Sequence, residues 1–237
     1  MPRVARIVVA GCPHHVTQKG NNGQDIFFAD ADRRAFLALV GRYVRECGVA
    51  IEGYCLMTNH VHLIVTPAKE NSLALALGRV NFRYAQYVNR THGRGGHLWQ
   101  NRFYSCVLDD AHYWNALRYV EQNPSRAGIA GAPWLYRWSS AAAHCGEFLD
   151  IGLLDLRRWQ EMARESEWRD QLSRALPAED ADSLRRCTAT GRPLGRVGFI
   201  ARIERALGRR VHALPHGRPF MTKRKPAKNE PKPHRQN

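Results

Sequence analysis

Val49-Ala-Ile-Glu-Gly-Tyr-Cys-Leu-Met-Thr-Asn-His-Val-His-Leu-Ile-Val-Thr66 decides the fold. Val49 to Cys55 reads as a strand, Met57-Thr58-Asn59 as a tight connection, and His60 to Thr66 as a strand folding back on the first, ended by Pro67. On the N-terminal side, Asp30 can cap a helix running to about Cys47. Phe36, Leu37, Val40 and Val44 form its apolar stripe and Gly48 stops it. On the C-terminal side, Ser72 caps a helix from Leu73 to about Arg90, striped by Leu77, Val80, Tyr84 and Val88. Val4 to Thr17, before the turn Gly20-Asn-Asn-Gly23, and Phe103 to Leu108, after the glycine-rich loop Thr91 to Gly96, supply the outer strands. The order β-α-β-β-α-β is that of an α+β, ferredoxin-like split-βαβ sandwich with an antiparallel sheet. Two helices would cover one face and leave the other free to bind or cut single-stranded nucleic acid.

A further helix follows, capped by Asp109 or Asp110 and ended by Pro124 with Gly128. At 100° per residue, Tyr113, Ala116, Leu117 and Val120 form its apolar side. Asn115, Tyr119 and Gln122 point the other way, with Asn123 at one edge of that polar side. From about Asp150 the chain turns to short helical segments: Leu154–Ser166, Trp168–Leu176, Asp180–Thr188 and, after Gly191-Arg-Pro-Leu-Gly195, Phe199–Leu207 closed by Gly208. The reading is therefore a catalytic domain over 1–148, a helical extension over 149–214 that is a candidate for DNA binding or simple packing, and a basic, disordered tail over 215–237.

Composition narrows the function. The 237 residues carry 36 Lys+Arg against 21 Asp+Glu, a net +15, which predicts a polyanionic partner, nucleic acid first. Arg209 to Asn237 hold nine basic residues and one acid. The other 208 residues hold 27 and 20, so the body is basic as well as the tail. Apolar runs of only a few residues, such as Ile7 to Ala10, exclude a bilayer span, and the N-terminus lacks the apolar stretch of a signal peptide. The expected location is cytoplasmic, with the nucleoid. Six cysteines without a C-x-x-C pair read as free thiols.

The chemistry concentrates in two places. Residues i and i+2 of a strand share a face, so His60 and His62 point together while Val61, Leu63 and Val65 enter the core. Two imidazoles on one face can chelate a divalent metal, and they can equally be polar residues on an open sheet face. A histidine-triad nucleotide hydrolase would need a third histidine at 64, which is isoleucine. On the later helix, Tyr119 and Asn123 are neighbours at i and i+4. Tyr119 is a surface tyrosine or a nucleophile. A metal that polarises a phosphate lowers the need for a strong base, which a phenol with its pKa near 10 would otherwise require. With the Asn123 oxygen the set is two neutral nitrogens and one oxygen, suited to Mg²⁺ or Mn²⁺ and open to Zn²⁺.

Pro13-His-His-Val-Thr-Gln-Lys-Gly-Asn21, Leu56-Met-Thr-Asn-His-Val-His-Leu-Ile-Val65, Leu98-Trp-Gln-Asn-Arg-Phe103 and Arg118-Tyr-Val-Glu-Gln-Asn-Pro-Ser-Arg-Ala-Gly128 together resemble the single-tyrosine transposases of the IS200/IS605 class. The resemblance covers about residues 4 to 130. It is closer to the REP-associated tyrosine transposases, favoured by the Asn-Pro-Ser-Arg-Ala-Gly and Gly-Arg-Pro-Leu-Gly segments and the extended C-terminus.

The resemblance implies a HUH endonuclease, a transposase that nicks and rejoins single-stranded DNA at hairpin-forming, REP-like repeats through a 5′-phosphotyrosine. Tyr119 matches the nucleophile, His60 and His62 the metal-binding pair, and Asn123 a third, amide-type ligand, with Mg²⁺ or Mn²⁺ as the cofactor. The REP-associated branch implies a monomer, with a dimer as the alternative. Lys19 stands where the family more often has arginine, which keeps the charge and gives up a bidentate contact. Expected DNA contacts are His15, Lys19, Asn21, Arg83, Arg94, Trp99, Arg102 and Phe103, with bases stacking on Trp99 or Phe103. The competing reading from another class is a non-catalytic nucleic-acid-binding module on the same sandwich. A phosphodiesterase for small nucleotides fits the +15 charge poorly.

Overall fold

The computed structural model describes residues 6–147, 152–162 and 165–213. Four strands, β1 (His14–Lys19), β2 (Val49–Leu56), β3 (His60–Pro67) and β4 (Tyr104–Val107), form one sheet in the order β2-β3-β1-β4. Every neighbouring pair is antiparallel. Helices α1 (Asp30–Cys47) and α2 (Ser72–Thr91) complete the β-α-β-β-α-β order. Both pack on one face, where Val16, Val61, Leu63 and Val65 meet Phe36, Val40, Leu77, Val80, Tyr84 and Val88.

Local chemistry explains the boundaries. The first strand starts at His14, ten residues after Val4, because the chain turns through Ala10–Cys12 and Pro13 has no N–H to donate. The α1 start is fixed by Asp32 rather than Asp30: its carboxylate accepts from the Phe28 and Ala29 N–H groups at 2.8 and 2.9 Å. At the other end Gly48 takes φ +65°, the left-handed conformation of a helix stop.

The second face of the sheet is not free. Helix α3 (Asp110–Glu121), capped by Asp109 through the His112 N–H at 2.9 Å, lies across it. Gly53 makes the close approach: a Cβ there would collide with Leu117 of α3. A bulge between Ile51 and Gly53 breaks the β2–β3 register beside it. After α3 come α4 (Asn123–Arg126), α5 (Ala141–His144), α6 (Arg157–Met162), α7 (Glu165–Ser173), α8 (Ala178–Thr190) and α9 (Val197–Leu207). The helix expected over Leu154–Ser166 is therefore α6 and the start of α7, with residues 163 and 164 outside the described chain. The expected break between Ser166 and Trp168 lies inside α7.

These later helices build a second core. Ile64, Cys106 and Leu108 of the sheet side meet Tyr113, Leu117 and Val120 of α3 and Trp159, Trp168, Leu172 and Leu184 of the extension. A fully buried polar cluster ties them together: Glu121 accepts from the Ser140 hydroxyl and the Trp168 indole N–H (2.9 Å) and pairs with His144. The polar side of α3 thus faces protein rather than water. Asn115 donates to Asp180 (3.1 Å), and Gln122 donates to the Leu172 carbonyl (2.9 Å). The 148/149 boundary and the tail from 215 lie outside the described residues. All six cysteines are free thiols. Among the described residues no helix is long and apolar enough to cross a membrane.

Candidate active site

Strand alternation puts His60, His62 and Ile64 on the α3 side of β3, as the i, i+2 spacing predicts. Beside them on β1, His15 stacks on His62 with ring centroids 5.1 Å apart and planes 13° from parallel. Tyr119 points in from α3, its ring 5.7 Å from His62 and 6.0 Å from His15, edge-on to both. The His60 ring lies 4.9 Å from that of His62. Only 6% of Tyr119 and 5% of His62 is exposed, so Tyr119, on the polar side of its helix by pattern, is covered. The cover is α8.

Hydrogen bonds order the imidazoles. His60 Nδ1 donates to the Asn59 side-chain oxygen at 2.7 Å. His62 Nδ1 is 2.9 Å from His15 Nε2, and His15 Nδ1 is 2.7 Å from Thr188 Oγ1 on α8. Thr188 Oγ1 in turn lies 3.2 Å from the Cys106 thiol. A chain with protons on His62 Nδ1 and His15 Nδ1 satisfies every one of these bonds and leaves Nε2 of His60 and His62 as lone pairs. Burial holds all three rings neutral. It pushes His15 down to about 3 and His62 well below the ordinary value, with His15, His60, Arg126 and Lys19 adding to the latter. His60 falls to about 4, by burial and then the Lys19 charge.

Neutral, backed imidazoles are the form that binds metal. No group of three His, Cys, Asp or Glu side chains arranged for a metal occurs among the described residues. Beside the two histidines, Asn123 offers an amide oxygen as a donor of another type. It stands one turn beyond Tyr119, its Nδ2 on the Tyr119 carbonyl (3.2 Å) and its Oδ1 accepting from Arg126 (2.9 Å). One lone pair on that oxygen remains. The two-nitrogen, one-oxygen set fits a divalent cation.

Two cations hold the phenol. The Arg126 guanidinium sits 4.2 Å over the Tyr119 ring and donates to the Tyr119 carbonyl at 3.0 Å. Arg185 of α8 donates from Nε to the Tyr119 hydroxyl at 3.2 Å and pairs with Asp182. Neither arginine was singled out in the sequence reading. Arg126 carries a helical signal, seven residues or two turns after Tyr119. Arg185 and Thr188 carry none, because their approach is tertiary.

The expected DNA contacts divide. His15 is buried in the cluster and serves His62. Lys19 is exposed at the end of β1, opposite His60 in the register. A bridge between Gly20 and Trp99 draws Asn21 to the 98–103 segment, where Arg102 is exposed. Trp99 packs against the α1/α2 core and donates its indole N–H to the Asn81 carbonyl (2.8 Å). Phe103 is buried under Arg6, whose guanidinium is 3.8 Å from the ring centroid. Arg83 lies on the exposed side of α2 with Gln86, and Arg94 covers Phe28; neither touches the histidine–tyrosine cluster.

Residues 8–123 match the family described as "Transposase IS200 like". Over that span, just under half of the chain, the sequence is similar to that family. The span includes His60, His62, Tyr119 and Asn123 and stops before Arg126, Arg185 and Thr188. No curated protein matches the chain. Among solved structures, one titled "Structure of the REP associates tyrosine transposase bound to a REP hairpin" superposes with a TM-score of 0.53 at 15% identity, over 66% of this chain and 90% of that one. A putative transposase from Deinococcus radiodurans gives a TM-score of 0.35 at 17% identity, over 54% of this chain and 92% of that one. The first likeness shows the fold that the two chains share.

Proposed function

We propose that the chain is a metal-dependent endonuclease and strand transferase for single-stranded DNA, acting at hairpin-forming repeats like the REP hairpin of the structural relative. The observation that carries the reading is one phenol, Tyr119, set edge-on to two histidines and bonded to a guanidinium. His60, His62 and Asn123 would hold the divalent ion, which when bound supplies positive charge to the phosphate. Tyr119 Oη attacks phosphorus, the P–O3′ bond breaks, and the proton lost by the phenol ends on the 3′-oxygen. The products are a 5′-phosphotyrosine and a free 3′-hydroxyl, and the retained ester energy lets the reverse step rejoin ends without a nucleotide cofactor. Arg126 fixes the turn that carries Tyr119 and Asn123. Arg185 orients the hydroxyl.

The burial of Tyr119 under α8 favours a second reading, a non-catalytic DNA-binding module on the same fold, and one experiment separates the two. End-labelled single-stranded hairpin oligonucleotides are incubated with the protein and Mg²⁺ or Mn²⁺, then run on a denaturing gel. A metal-dependent protein–DNA adduct that Tyr119→Phe abolishes is expected. Tight binding without any adduct, across several hairpins and both metals, assigns the protein to the binding module.

A further inference from the structure

A cavity of about 560 Å³ opens where the edge strand β4 meets the loops on either side of α9. Arg6, Arg102, Arg192, Arg209 and Arg210 line it, and no Asp or Glu does. Some arginines outside the cavity pair with carboxylates: Arg79 with Glu46, Arg157 with Asp155, Arg169 with Glu147, Arg185 with Asp182. Among the described residues Arg6, Arg102, Arg192 and Arg210 make no such pair, and Arg192 Nη1 is buried without a hydrogen-bond partner. Arg6 donates only to the Phe103 carbonyl (3.2 Å). Several uncompensated guanidiniums around one cavity repel each other, and an anion relieves that repulsion.

The cavity is tied to the histidine–tyrosine cluster through α8. Arg185 reaches the Tyr119 hydroxyl, Thr188 both bonds His15 and lines the cavity, and Thr190 ends the helix in its wall. From 185 to 190 a helix advances roughly 8 Å. A DNA strand covers that distance in two or three nucleotides, at about 3.4 Å each. Tyr104, a wall residue with 37% of its surface exposed, offers a ring on which a base can stack. The volume is in the ~300–1,000 Å³ range of small-ligand sites, which admits a nucleotide or two of one strand and not a duplex.

We propose that this arginine cavity binds the phosphodiester backbone of single-stranded DNA a few nucleotides from the cleaved bond, so that the C-terminal extension is part of the substrate site. The assignment rests on the nuclease reading of Tyr119.

The test measures binding of a 5′-labelled oligothymidylate by fluorescence anisotropy over a series of salt concentrations, using the full chain. In Arg192→Gln/Arg210→Gln the slope of log K against log salt should shrink by roughly 1.4, two phosphates at about 0.7 each. Affinity at low salt should fall about tenfold or more. Arg192→Lys/Arg210→Lys, which keeps the charge, should restore most of the slope, and all variants should melt at the wild-type temperature. A duplex of the same length should lose little. An unchanged slope in the Gln variant, or an equal loss toward the duplex, overturns the proposal. The adduct assay runs in parallel. Adduct formation with an unchanged slope removes the cavity alone. A changed slope with no adduct from the wild-type protein removes the nuclease reading and leaves the cavity as a DNA-binding site.

Discussion

Two hydrogen bonds meet at His15, one from β3 and one from α8, and together they set which nitrogen of His62 is bare. His15→Ala removes the group that orients His62 without touching either Nε2. Mn²⁺ affinity, measured by calorimetry on the DNA-free protein, is expected to drop about 10–100-fold, the usual cost of losing such a partner. Unchanged affinity would show that His62 needs no backing. The neighbouring His14 faces the other way in function. It is fully buried, donates from Nδ1 to the Cys12 carbonyl (2.8 Å) and accepts the Val9 N–H at Nε2 (3.3 Å). Burial lowers it to about 4, against a smaller opposing effect of the Cys12 bond. Its folded value is thus below its unfolded value near 6.5. As pH falls between about 6.5 and 4 the unfolded chain takes up the proton first, and His14 subtracts up to about 1.4 kcal/mol of stability per pH unit. Urea midpoints measured across that window should decline less steeply in His14→Asn. Spacing raised His60, His62 and Tyr119 as candidates, and the motif resemblance supplied the roles expected of them. The duty of His15 was not visible, because it depends on a threonine 173 residues away.

At the scale of elements, the β2–β3 hairpin and the two helices flanking it were readable to within a residue or two, since period and stop signals agree there. What the periodicity could not show was the destination of the polar side of α3. Asn115, Tyr119 and Gln122 look solvent-facing by pattern, yet each is bonded to the extension. Polar residues satisfied across a tertiary interface carry the same sequence signature as residues satisfied by water. The fit of α3 on the sheet depends on Gly53. Gly53→Ala forces Leu117 aside and is expected to cost about 1–3 kcal/mol, read as a shift in urea midpoint. Because Tyr119 rides two residues beyond Leu117 on α3, adduct formation should slow in the same variant. A wild-type midpoint would mean that α3 can lift off the sheet at no cost.

For the whole molecule, the composition shift near residue 150 suggests a seam, but side chains from both sides of it share one core and one buried polar cluster. Trp168 fills the centre and its indole is bonded to Glu121. Trp168→Ala deletes that volume and leaves a carboxylate oxygen short of a donor, for an expected loss of about 3–5 kcal/mol. Calorimetry should show one transition moved to lower temperature. A transition for the first 148 residues that kept its wild-type midpoint would establish two independent units. The tryptophans have an optical consequence. Of the six in the chain, Trp99 and Trp138 belong to the core beneath α1 and α2, while Trp114, Trp134, Trp159 and Trp168 belong to the core beneath α3 and the extension. Each face of the sheet therefore has its own fluorophores. A variant keeping only one of the two sets would report, by emission alone, which face responds when a DNA strand arrives.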